Sequence, residues 1–241
     1  MRILPFSIAT LFRALRAGWS QLHKAWRISV GYASIFVLAG ALIMGMLLRQ
    51  GWVPFLIPAA GSFMLVGPLL LAGYFGIASA SQEGRPVDWR AIRNGYAHAA
   101  PSLGALALVC CLLLMIFLTD AAILYAYMVG GPLVELGALL DGGHPLRFIA
   151  WSGVSGAFIA FLLYGVTAFS VPLLCERRAG LVESVVISVR VVFSSFVPAM
   201  IWACLLSCVT ISSVLLLPIL PLTLSWLAFS SRALYREVLP C

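Results

Sequence analysis

Asp120 is the acidic residue of this sequence that falls inside an apolar run. An ionisable group in such a setting marks a pathway or a binding site by default, because burying it in lipid is costly. It lies 19 residues past Pro101, about 28 Å along a helix rising 1.5 Å per residue. That depth reads first as an interfacial aspartate. A proton or cation site is the second reading, and a structural partner for Arg49 or Arg147 the third.

The other chemistry-bearing residues are poorly placed for catalysis. His23, His98 and His144 sit in polar or interfacial segments, so no two of them face each other across a bundle to ligate haem. Cys110, Cys111, Cys175, Cys204, Cys208 and Cys241 form no CxxC pair, and a zinc site or disulfide framework expects fixed spacing in polar loops. Cys204 and Cys208 share a helix face, and small apolar packing is their reading. Met44 and Met46 lack neighbouring cysteine or histidine and read as packing rather than copper ligands. Gly142, Gly143, His144 and Pro145 read as an outer loop turn. No HExxH, Walker A, nucleophile elbow or dinucleotide loop is present. No catalytic residue, metal or cofactor is therefore implied, and nothing points to nucleic acid.

The elements that carry these residues are membrane helices. The composition is 63% hydrophobic and 10% charged, with a mean hydropathy of +1.08. A soluble domain is nearer half apolar and a quarter charged, so this surface has to meet lipid. A crossing needs roughly 20 mainly apolar residues. Charge-free or nearly charge-free runs predict spans at about 28–48, 53–81, 101–127 and 148–175. The run from Val191 to Ser231 is too long for one crossing; Pro218 and Pro221 mark a break, giving spans at about 194–216 and 218–236. With six crossings, only Arg49 and Arg147 fall on one side, against 13 of the 15 lysines and arginines on the other. The basic side is expected to face the cytoplasm, with both chain ends there. The run Ile3 to Phe12 is broken by Arg13 and Arg16 without a small-residue cleavage site, so it is not read as a cleavable signal.

Before each odd-numbered span lies a short amphipathic segment. In the first, residues 6–26, Ile8, Leu11, Phe12, Leu15, Trp19, Leu22 and Trp26 recur at helical spacing. Arg13, Arg16, Lys24 and Arg27 occupy much of the remainder and are expected to contact anionic lipid head groups. Trp89, Ile92 and Tyr96 form a shorter second copy with Asp88 as N-cap, and Val182, Val185, Val186, Val189, Phe193 and Phe196 repeat the spacing in a third. Arg16, Arg93 and Arg190 each precede an aromatic by three residues. The expected architecture is an all-α bundle of about six helices. It is arranged as three parallel repeats of interfacial helix plus hairpin.

Small residues recur every four positions at Ala72, Gly76 and Ala80, at Ser152, Gly156 and Ala160, and at Ala199, Ala203 and Ser207. Such stripes let helix backbones approach closely in lipid. Packing within the chain is the first reading, and an interface with a membrane-protein partner the second.

Three stretches carry a family resemblance: Gly61 to Gly73 (GSFMLVGPLLLAG), the loop Glu83 to Asp88 (EGRPVD), and Ser170 to Leu174 (SVPLL) followed by Ser188 to Arg190. On these the chain resembles the six-helix bacterial membrane proteins grouped as domain of unknown function 2189. The resemblance implies an inner-membrane protein and brings no reaction, substrate or catalytic residue. The stretch from Leu224 to Arg232 departs from the family, where a histidine lies nearby, so no role of that histidine carries over. The expectation is an accessory, assembly or scaffold subunit in the lipid bilayer. The alternative is a small transporter or channel for an ion, lipid or apolar solute, and a membrane enzyme comes third.

Overall fold

The structure, a computed structural model, describes residues 4–49, 56–99, 101–128 and 144–240. Cys241 and the turn at Gly142 and Gly143 lie outside the described residues, as do the side chains of Arg147 and Ser152. Among the described residues the chain is an all-helical, polytopic bundle. Its helices are α1 (Ile8–Arg49), α2 (Leu56–Gln82), α3 (Trp89–His98), α4 (Ser102–Met128), α5 (His144–Thr167), α6 (Ser170–Cys175), α7 (Leu181–Ser194), α8 (Phe196–Leu215) and α9 (Leu220–Val238).

Four described stretches are long and apolar enough to cross a membrane: Ile8–Met46, Ser102–Asp120, Gly153–Cys175 and Phe196–Val214. The 27 residues of α2 also carry no charge. α9 differs, because its second half holds Arg232, Arg236 and Glu237.

The breaks between helices have local causes. Pro172 and Pro198 each lack an amide hydrogen and crowd the carbonyl four residues back. Helix α5 accordingly ends at Thr167 before α6, and α7 ends at Ser194 before α8. Asp88 caps α3, its Oδ1 accepting from the amides of Arg90 (3.0 Å) and Ala91 (3.2 Å). Residues 216–219 form the turn between α8 and α9. Helix α1 breaks at Ala25, where φ is −128° and ψ 23°. No proline or glycine stands between Leu22 and Val30, so this break comes from packing. Leu22, Ala25 and Tyr32 all enter one core cluster with Tyr74, Ile77 and Phe229.

The amphipathic segments dock in a consistent way. The first half of α1 runs antiparallel to α9: Trp226 Nε1 donates to the Leu15 carbonyl (3.0 Å), Arg13 pairs with Glu237 (3.0 Å), and Gly18 lies against Ser230. Helix α3 lies on α2, where Gly95 meets Gly76 backbone to backbone. Helix α7 lies on α5 and α6: Ser188 Oγ donates to the Gly165 carbonyl (2.7 Å) and accepts from the Phe169 amide (3.1 Å).

Each of these segments has three faces rather than the two expected from its periodicity. In α1, Leu11, Ala14, Gly18, Leu22 and Ala25 are buried against the bundle. Ile8, Phe12, Trp19 and Trp26 form an exposed apolar stripe, and Arg13, Arg16, Lys24 and Arg27 an exposed basic one beside it. The single apolar face read from the sequence is thus divided between protein and surroundings. Helix α3 buries Ala91, Ile92 and Gly95 and exposes Trp89, Tyr96, Arg90 and Arg93. Helix α7 buries Ser184, Ile187, Ser188, Val191 and Val192 and exposes Val182, Val186, Phe193 and Arg190.

Candidate functional site

Helices α2, α5–α6 and α9, each read from the sequence as the second helix of a hairpin, converge at their C-terminal ends. Unpaired carbonyls gather at such ends, which favours cations there. Arg232 of α9 is 3% exposed and sits among them. Its Nη2 donates to Ser79 Oγ of α2 (3.0 Å) and lies 3.7 Å from Glu176 Oε1, just past α6. The guanidinium also lies over the Phe75 ring, 5.3 Å from its centroid. Glu176 accepts from Arg236 as well (3.0 Å), and Arg236 donates to Gln82 of α2. Arg178 donates to Tyr235 Oη (2.9 Å) and to the Leu239 carbonyl (2.7 Å). One carboxylate thus bridges two arginines from a third helix, and all three second helices are tied through it.

A second polar layer lies deeper. Tyr74 Oη and Ser225 Oγ are 2.8 Å apart, and both hydroxyls reach the Ser29 carbonyl (3.3 and 3.1 Å). Tyr32 Oη meets Tyr96 Oη at 2.6 Å, and the Tyr32 ring fits over Gly73. These bonds join α1, α2, α3 and α9.

Beside the charged cluster a cleft of about 270 Å³ opens between α3, the end of α2 and residues 175–177. Phe75, Gly76 and Cys175 line it together with Arg85, Arg177 and Arg236.

The residues singled out in the sequence are dispersed. Asp120 lies apart from this cluster; its carboxylate accepts a hydrogen bond from Ser155 of α5, a partner the sequence did not suggest. Arg13, Arg16, Lys24 and Arg27 are all exposed on the outer side of α1. Ala72, Gly76 and Ala80 are buried, and this stripe seats α3: a Cβ on Gly76 would come within 2.7 Å of Gly95 Cα. In the second stripe Gly156 is half-buried and Ala160 exposed. Ala199 is buried, its carbonyl accepting from Tyr164 Oη (2.9 Å).

Arg232 and Glu176 were missed as a pair because each reads as an end-of-helix charge. The available signal was the setting of Arg232, which follows Ala228, Phe229, Ser230 and Ser231 with no other charge in α9 before it.

The model of a family described as Predicted integral membrane protein (DUF2189) matches residues 56–176, half of the chain. No curated protein and no solved structure matches it.

Proposed function

The chain belongs to the DUF2189 family of predicted integral membrane proteins, and from that premise we propose a non-enzymatic scaffold or assembly subunit of the bacterial inner membrane. In this reading three parallel units, each an interfacial helix followed by a hairpin, form a ring. The supporting observation is the docking order. Helix α3 sits on α2 of the preceding hairpin, α7 on α5–α6 of the next, and the first half of α1 on α9 of the last. The exposed apolar and basic stripes of these segments suit a collar at head-group depth. The basic end faces the cytoplasm by the positive-inside rule, which brings both chain ends there. Arg13, Arg16, Lys24 and Arg27 then meet anionic head groups, at about 1 kcal/mol per basic residue.

With the second helices tied by Glu176 and Arg232, the outward apolar faces of α4, α5, α8 and the second half of α1 are surfaces left for lipid or a membrane-protein partner. Native mass spectrometry from mild detergent, combined with crosslinking in cells, tests this. A defined complex of fixed stoichiometry is expected. A monomer that never crosslinks to a second chain overturns it.

A second reading, a small transporter or channel for an ion, lipid or apolar solute, draws on Asp120 and Ser155 paired between two apolar helices. Proteoliposome flux that falls with Asp120→Asn favours it. Absent or unchanged flux removes it.

A further inference from the structure

We propose that the cleft between α3 and the C-terminal end of α2 is a binding site for a phosphate group. Its polar wall includes Arg85, Arg177, Arg236, Asn94 and His98, over a floor of Phe75 and Gly76. In and directly beneath it stand four guanidinium groups, those of Arg85, Arg177, Arg232 and Arg236, against two carboxylates. Glu83 is engaged by Arg85, and Glu176 is shared by Arg232 and Arg236. The excess of positive charge is therefore met by no acidic side chain of the cleft. Planar guanidinium donors match tetrahedral phosphate oxygens better than any other common anion-binding group.

Arg177 is the centre of this argument. Its backbone is left-handed, at φ 50°, because it stands just past the end of α6 in a capping turn, where the Arg177 amide donates to the Leu174 carbonyl and the Arg178 amide to the Leu173 carbonyl. Its guanidinium is held at the end of α3 by the carbonyls of Ala97 (3.1 Å) and Ala99 (3.2 Å). Neither acceptor carries a formal charge, and Arg177 forms no ion pair among the described residues. The residue is thus placed and oriented by helix-end carbonyls, which offset part of its charge, and no carboxylate among the described residues pairs with it. The volume of about 270 Å³ takes a phosphate with a short substituent, and the rest of a larger molecule would extend out of the open cleft. Trp89 projects outward from the same helix α3, and an exposed tryptophan marks head-group depth. The phosphate therefore belongs either to a lipid head group or to a small soluble phosphate compound entering from the aqueous side.

The test uses the full chain purified in an uncharged detergent, with thermal unfolding followed against added ligand. The probes are inorganic phosphate and dihexanoylphosphatidylglycerol. Saturable stabilisation is expected with at least one of them, weakened ten-fold or more in Arg85→Gln and in Arg177→Gln. Arg85 is half-exposed and its side chain pairs with the equally exposed Glu83, so Arg85→Gln keeps the test valid if Arg177→Gln loosens α3. Stabilisation by the lipid alone assigns the group to a head group, and stabilisation by inorganic phosphate assigns it to a soluble compound. No saturable effect from either probe, or equal effects in wild type and both variants, overturns the proposal.

Discussion

Glu176 holds a position out of proportion to its size, because it is the carboxylate that Arg232 and Arg236 share. Removing one partner of a buried pair leaves the other uncompensated, at a cost of about 3–5 kcal/mol. Glu176→Ala is expected to lower unfolding stability by roughly that amount, measured by chemical denaturation in detergent. Glu176→Ala combined with Arg232→Leu is expected to recover much of the loss, since two apolar residues need no counter-charge. Gly76 makes a different kind of demand. A side chain there meets the backbone of α3, and backbone cannot rotate away as a flexible side chain would. Gly76→Leu is therefore expected to detach α3 from α2, read as new protease cleavage between Arg85 and His98, whereas Gly31→Leu, at an open position, leaves the pattern unchanged. The Gly76 stripe was legible in the sequence, because spacing alone reveals a small-residue face. The Glu176–Arg232 pair was not. Its members come from different hairpins, and only the convergence of three helix ends makes either of them a buried group.

At the scale of elements, hydrophobic runs and prolines carried most of the information. The breaks at 168–169, 195 and 216–219 all lie near Pro172, Pro198 or Pro218, where steric rules act within one turn. The bend at Ala25 had no such mark, since it depends on packing among α1, α2 and α9. The three-faced character of α1, α3 and α7 was half legible. Periodicity shows which residues are apolar but not which apolar residues meet protein and which meet lipid. That division yields a measurement. Trp19 and Trp26 are exposed on α1, whereas Trp202 of α8 is 3% exposed. In single-tryptophan variants, lipids brominated near the head group are expected to quench Trp26 more than lipids brominated near the chain ends. Trp202 should be quenched little by either. Equal quenching of Trp26 at both depths would contradict an interfacial placement of the first segment.

For the molecule as a whole, the first and last described segments are neighbours: the Leu4 amide donates to the Val238 carbonyl at 3.1 Å. Reporter fusions at the N- and C-termini are therefore expected to show the same compartment, and opposite signals would break the six-crossing reading. The pairing of the first helix with the last also fixes an order of events during synthesis. Leu22 and Gly18 are covered by α9, which leaves the ribosome about 200 residues later. At about 5–20 residues per second, the inner face of α1 waits on the order of 10–40 s for its partner. Throughout that interval a nascent chain leaves the apolar face of Leu22 and Ala25 without its partner helix. A chain ending after α8 never leaves that state, so loss of its last helix should send it to proteolysis rather than yield a smaller working protein.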